Sequence, residues 1–383
     1  MHLCFLTNEY PRPGHAHGGI GSFLKVFCPA LVASGHQVTV INGTIGSRHE
    51  VMSEGVKIIY TPFSKTRGIA WWHNYSAVNR EIEQLHEESP VDVVEGSELS
   101  FAFLQKIPGI IYIIRLHGGH HFFAEGEKRK VNVWKGFQEK RSFQKADGFI
   151  GVSDYVVKHT SKFLEISPRP VRIIMYPINL EKFVPAQVDK IVPFRIVFAG
   201  TLIEKKGIRQ LIEAMPQVLA AFPETELHIY GRDWKDIKGR SYLELLQSAI
   251  PQQISKNILF HGPVDQKELP EIYAKANVCV FPSHIETLGL VAPEAMAMQR
   301  AVIYTLTGPG PEVLSHGESG WLCDPHDPAS IAECILEAFS DWEEMTRRAI
   351  NGRERVEIQF NIQHILGQNL EFYQEVKASV VRG

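Results

Sequence analysis

Two carboxylates, Glu286 and Glu294, stand with seven residues between them around a short glycine-containing stretch of PSHIETLGLVAPEAMAMQRAVI. Gly289 and Leu290 lie between them, where the spacing predicts the start of a helix over Ala292–Met298. Unsatisfied N–H groups and the macrodipole at a helix start attract phosphate, and a glycine lets backbone come close to it. With Thr287 and Leu288, this stretch is expected to form an anion cradle. A carboxylate accepts two hydroxyl donors at once, which is what a ribose diol offers, so Glu294 is a candidate ribose acceptor. Glu286, ahead of the helix, is placed to grip the hydroxyls of a sugar. The plainer alternative, an acid that only favours the helix dipole, stays open.

Lys206 follows the apolar run FRIVFAG and precedes a helix expected from about Ile208. A flexible ammonium there reaches a diphosphate and offsets charge growing on a leaving group, whereas the dipole disfavours a lysine with no such task. Gly18-Gly19-Ile20-Gly21, after the first strand, is a second candidate anion loop, with Gly19 facing the ligand; a tight turn is its alternative. It is not G-x-G-x-x-G, and QVTVINGT does not end in an acid, which disfavours a nicotinamide dinucleotide. His117 directly follows IIYIIRL, a position from which it hydrogen-bonds a sugar hydroxyl or steadies developing charge. His120 and His121 complete H-x-x-H-H, but two glycines interrupt it and no carboxylate cluster is near in sequence, so no metal ligands are assigned. The chain has no Asp-x-Asp pair to hold a cation on a diphosphate, which points to metal-free chemistry with the helix dipole and lysine in its place. Gly231 and Arg232 in YGRD, and Val264 after FHG, are positional candidates for a nucleotide pocket.

The elements that must position these residues alternate. HLCFLT, QVTVI, VKIIYT, VDVVEG, IIYIIRL and GFIGVS read as short buried strands, with helical segments such as 23–34 and 76–86 between most of them. Gly35 is the expected stop of the first helix. After a proline-bearing stretch the rhythm restarts with FRIVFAG, ELHIYG, ILFHG, VCVFPS and AVIYT, interleaved with helices such as 267–275. The tail from Asp327 is helical, with Ile331, Ile335, Leu336 and Phe339 on one stripe. The expectation is an α/β chain of two doubly wound, Rossmann-like domains, 1–175 and 193–360, a linker at 176–192, and a last helix, 361–383, packing back on the first domain. Ligands then sit outside the strand C-terminal ends, in a central cleft between the domains.

Composition narrows the partners. The 383 residues carry 40 Lys/Arg and 43 Asp/Glu, a net charge of −3, which excludes a strongly basic nucleic-acid binder. The halves differ, +4 over 1–180 and −7 over 181–383. Five scattered cysteines without C-x-x-C form neither a disulfide framework nor a thiolate zinc site, so a cytoplasmic setting is expected. MHLCFL is too short for a signal-peptide core, and no run is long enough to span a bilayer. Residues 125–145 hold seven Lys/Arg against three Glu, with Trp134, Phe137 and Phe143 among them. A basic aromatic helix suits peripheral contact with an anionic inner membrane face or an acidic acceptor; a solvated helix face is the plainer reading.

The string from ILFHG to AVI resembles the nucleotide-sugar site of GT-B retaining glycosyltransferases of family 4 (glycosyl transferases group 1). The E-x7-E pattern falls on Glu286 and Glu294, G-x-L-x-x-x-K-G on Gly200 to Gly207, and G-G-x-x-E on Gly308-Pro309-Gly310-Pro311-Glu312. The N-terminal glycine loop and S-G-H-Q-V-T-V-I are similar as well. Three departures stand out: Thr201 where the family usually has Arg, Tyr176-Pro177 where it has Asn-Gly, and Pro309 for the second glycine. The resemblance implies transfer of a hexose, with UDP-glucose the favoured donor, to a hydroxyl of a polysaccharide or lipid-linked oligosaccharide. It implies retention of configuration and domains that close about the linker, and no cofactor beyond the nucleotide sugar. His117, Glu286 and Lys206 are its catalytic positions, and Gly19, Thr201, Lys206, Gly231, Arg232, Val264, Glu286–Leu290 and Glu294 its donor-binding ones. A GT-B-fold sugar-nucleotide epimerase and a non-catalytic sugar-nucleotide-binding protein are the alternatives.

Overall fold

A computed structural model describes residues 1–12, 18–66 and 68–382. The chain divides into two compact units, unit 1 (1–177 with 362–383) and unit 2 (178–361).

Unit 1 is built on eight strands: β1 (His2–Thr7), β2 (Gln37–Thr44), β3 (His49–Ser53), β4 (Val56–Pro62), β5 (Val93–Gly96), β6 (Ile111–Leu116), β7 (Gly148–Gly151) and β8 (Val171–Ile173). Their order is β3-β4-β2-β1-β5-β6-β7-β8. All pairs are parallel except β3 with β4. β5, β6 and β7 are buried at every residue, as continuous apolar runs in a sheet covered on both faces are. The helix Gly19–Ala33 buries Phe23, Leu24, Phe27, Cys28 and Leu31, residues three and four apart that share one face.

The last helix, Ile362–Arg382, belongs to this unit, and a buried polar knot ties it down. Fully buried Arg115 donates to Glu95 at 2.7 and 3.0 Å and to Asn369 at 2.5 Å, while the Tyr373 hydroxyl donates to Glu95 at 2.6 Å. Removing one partner would strand a buried charge, so the knot specifies where the helix docks.

Unit 2 has six parallel strands: β9 (Arg195–Ala199), β10 (Glu226–Tyr230), β11 (Ile258–Gly262), β12 (Val278–Phe281), β13 (Ala301–Thr305) and β14 (Trp321–Cys323), in the order β11-β10-β9-β12-β13-β14. The tail expected as helical forms Pro328–Ser340 and Trp342–Gln359 before the helix of unit 1. Ile331 and Ile335 are buried, and Phe339 packs edge-on against Phe194 and Phe222.

Both sheets reverse direction at their first strand. In unit 1 the chain runs outward through β2 and β4, then returns to the other side of β1 with β5. In unit 2 it runs out through β10 and β11 and returns beside β9 with β12. A crevice opens at such a switch point, because the connections leave in opposite directions. Residues after β1 and β5, and after β9 and β12, therefore edge the two crevices.

Candidate active site

In unit 2 the loops after β9 and β12 are stitched together. The His284 N–H donates to the Lys205 carbonyl at 2.9 Å. Glu204–Lys206 makes one 3-10 turn, closed by Gly207 at φ +69°. A Cβ on Gly207 would lie 1.8 Å from the Pro282 carbonyl oxygen, so only glycine lets the loops meet here. The meeting joins two predicted residues 80 apart in sequence: the Lys206 ammonium donates to a Glu286 carboxylate oxygen. Glu204, two residues before Lys206, serves the scaffold. It accepts from Arg209, Gln210 and Tyr242, and the Arg209 guanidinium first among these holds its carboxyl down at about 2.

Past Glu286 the chain turns through Thr287, buried Leu288 and Gly289 into the helix Val291–Ala297, with Leu290 as its N-cap. Gly289 has φ +79°, and a Cβ there would come within 2.1 Å of the Tyr304 hydroxyl, which donates to the Leu288 carbonyl at 2.8 Å. Tyr304 on β13 thus braces the loop from behind. Glu294 is 5% exposed. Burial pushes its carboxyl up to about 7, against the charge of Lys182 and a hydrogen bond from Gln266 that pull it down. Burial in turn lowers the Lys182 ammonium. A buried carboxylate beside one ammonium is primed to take further donors, since each one replaces lost solvation.

The remaining candidates of unit 2 also follow strand ends. Thr201 comes after β9. Gly231 backs onto the Gly200 carbonyl, and the exposed Arg232 follows it after β10, its carbonyl accepting from Leu202 at 2.9 Å. Val264, half-buried, comes two residues after β11. In the third glycine-containing stretch, Pro309 caps a short helix, Gly310–Val313.

His117 and Gly19 belong to unit 1. His117 follows β6, and its Nδ1 shares a hydrogen bond with the Tyr176 hydroxyl, whose ring stacks on it at 5.8 Å. Burial first, then the charge of Arg115, lowers the imidazole to about 3, and burial raises the Tyr176 phenol. The pair is therefore neutral at physiological pH, and the shared bond uses Nδ1 of His117. Glu98 sits beneath this loop. Burial raises its carboxyl to about 8, against the pull of the His117 and Gly118 amides. Gly19 opens the helix Gly19–Ala33, and among the described residues no atom lies within 4 Å of where a Cβ would stand.

His117 also lines a cavity of about 390 Å³ at the unit 1 switch point, edged by Thr7 at the end of β1, by Asn8 and Glu9 after it, and by Ser97 and Leu99 after β5. Nothing in the local sequence marks this cavity. Tyr176 and Lys182 escaped notice as functional residues because their partners lie 59 and 112 residues away. The 125–145 segment, expected as one basic helix, is instead two helices, His120–Gly126 and Val133–Lys145, with Asn132 capping the second through Lys135 N–H at 3.0 Å. His120 starts the first of these despite the glycines before it, and Glu139 accepts from the backbone of His120 and His121 and from the His121 ring.

Two Rossmann-like units with switch-point crevices of this kind make the GT-B fold. The computed structure overlays the sucrose-phosphate synthase of Thermosynechococcus elongatus with a TM-score of 0.83, at 22% identity, over 99% of this chain and 100% of that one. It overlays Anabaena HepE, crystallised with UDP-glucose, with a TM-score of 0.76 at 16% identity, over 98% and 100%. The family profiles described as Glycosyltransferase Family 4 and Glycosyl transferases group 1 match residues 17–182 and 186–355. An uncharacterized glycosyltransferase of Methanocaldococcus jannaschii is 31% identical over 364 residues, 89% of this chain and 90% of that one. The chain belongs to glycosyltransferase family 4 and is a glycosyltransferase.

Proposed function

We propose that the protein transfers glucose from UDP-glucose to an acceptor hydroxyl with retention at the anomeric carbon and without a divalent cation. One observation carries the reading: the Lys206 ammonium pairs with Glu286 across the loops after β9 and β12, with buried Glu294 in the helix that follows, which suits a cation for a diphosphate and carboxylates for two sets of hydroxyls. The UDP-glucose complex of HepE, a protein of the same fold, supports the choice of donor.

In this mechanism the diphosphate takes the Lys206 ammonium and the amides around Leu288 and Gly289. Glu294 accepts the ribose diol, and Glu286 accepts hydroxyls of the hexose. The bond from C1 to the phosphate oxygen breaks, and the acceptor oxygen bonds to C1 on the same face. The acceptor proton passes to a phosphate oxygen of the departing UDP. The chain supplies orientation and charge stabilisation, with Lys206 meeting the negative charge as it grows. Neutral His117 donates a hydrogen bond to a substrate hydroxyl. The sequence without Asp-x-Asp supports a lysine in place of a metal. The acceptor is a saccharide or lipid-linked saccharide. Among the described residues no helix is long and apolar enough to cross a membrane, so any membrane contact of the basic aromatic helix Val133–Lys145 is peripheral.

Calorimetric titration with UDP and UDP-glucose, with and without EDTA, tests this reading on wild type and Glu294→Ala. The expected result is binding indifferent to EDTA and weakened by the substitution. Binding that needs metal, or that survives Glu294→Ala unchanged, overturns it.

A further inference from the structure

The helix Ala70–Glu88 buries only Glu81, Ile82 and Leu85. The same face, continued toward its start, carries Val78, Tyr75, Asn74 and Trp71, all half-buried, and these four line the unit 1 cavity. Apolar side chains at helical spacing normally meet a core; here they meet an open space. Leu99 and Phe63 complete the apolar wall, and Asn8, Ser97 and His117 form the polar end.

Charge decides what fits between them. Among the described residues no lysine or arginine lines the cavity, and its two acids are engaged. Glu95 is paired with Arg115, and Glu9 accepts the Gly18 N–H at 3.1 Å. Against the described lining a phosphate would face carboxylates and no lysine or arginine, whereas a neutral hydroxyl compound meets matching donors and acceptors.

A line of rings leads out of the cavity. Trp71 lies 4.5 Å from Phe103, Phe103 stacks on Trp134 at 5.7 Å, and Trp134 stacks on Phe137 at 5.8 Å. Trp134 and Phe137 are 45% and 49% exposed. Contiguous exposed rings joined to a cavity mark a surface that an apolar ligand covers.

We propose that the unit 1 cavity binds an uncharged amphiphile, its hydroxyl-bearing head at the Asn8–Ser97–His117 end and its apolar tail along Trp71, Phe103, Trp134 and Phe137. This rests on the glycosyltransferase reading and selects, as the acceptor, a neutral glycoside with an apolar tail over a phosphorylated sugar or a long polysaccharide.

The probes are methyl, butyl and octyl β-D-glucoside at monomeric concentrations, with glucose 6-phosphate as the anionic control, titrated calorimetrically into the full chain. Affinity is expected to rise by about three- to fourfold per methylene until the rings are covered, with glucose 6-phosphate weakest. Trp134→Ala, on the surface, is expected to weaken octyl glucoside about tenfold and to leave methyl glucoside unchanged. Trp71→Ala is expected to weaken every glucoside. Equal affinity for methyl and octyl glucoside, tightest binding of glucose 6-phosphate, no binding of any probe, or octyl binding indifferent to Trp134→Ala overturns the proposal. UDP is titrated into the same samples. Loss of glucoside binding with UDP binding intact sinks this inference alone, whereas absent UDP binding sinks the donor reading.

Discussion

In unit 2 the loops after β9 and β12 bring Lys206 onto Glu286, buried Glu294 lies in the helix that follows, and Gly207 and Gly289 close these loops. In unit 1 the crevice beside β1 and β5 is walled by Trp71, Tyr75, Val78 and Leu99, and no cation lines it among the described residues. The switch-point topology is shared, so the strand order places a crevice but does not choose its ligand. The choice lies in the residues that follow each strand. Short loops locked by glycine hold charge in unit 2. In unit 1 a helix that lifts off the core leaves an apolar hollow.

The largest expected effect is on the charged crevice. Lys206→Ala is expected to lower the rate of UDP release from UDP-glucose about 10²- to 10³-fold and to leave glucoside binding by unit 1 untouched; equal damage to both would erase the distinction between the crevices. Next is the loop closure. Gly207→Ala puts a Cβ into the Pro282 carbonyl at a positive φ and is expected to destabilise the protein by about 3 kcal/mol in urea unfolding. Gly19→Ala meets no atom of the described residues within 4 Å and is expected to stay within about 0.5 kcal/mol. Comparable losses for the two glycines would mean that the unit 1 loop is as tightly locked as that of unit 2.

A smaller effect concerns pH. Glu294 is raised from 4.5 to about 7 in the folded chain. The unfolded chain therefore releases this proton first, and its stabilising contribution, whole below the unfolded value, is lost as pH rises to about 7. The loss is on the order of 3 kcal/mol, and Glu294→Gln is expected to remove that part of the slope in pH-dependent unfolding. UDP affinity, which uses the ionised form, is expected to climb over the same interval in wild type only. The smallest effect is expected from Tyr176→Phe. It removes one hydrogen bond to His117 and lowers the transfer rate about tenfold, with UDP affinity unchanged.

Local order was readable where one physical cause dominates. Runs such as VCVFPS and IIYIIRL are apolar without alternation because both sheet faces are covered, and they appear as β12 and β6. Glu286, Gly289 and Glu294 sit in one loop and helix start, so their spacing carries their arrangement. The helix predicted over 76–86 extends back to Ala70 because AWWHNY faces a cavity, where no core signal is written. The basic segment 125–145 breaks at residues 127–132, a turn that its charge pattern does not register.

The sequence alone determined the two α/β units, the family and the identity of the charged donor-site candidates, since periodicity and short motifs are local properties of the chain. Tertiary structure alone decided that Lys206 meets Glu286, that Lys182 attends Glu294, that Tyr176 holds His117, and that the first crevice is hollow and aromatic. Those pairings depend on which strands become neighbours, and strand order is set by packing of the whole sheet rather than by any one segment.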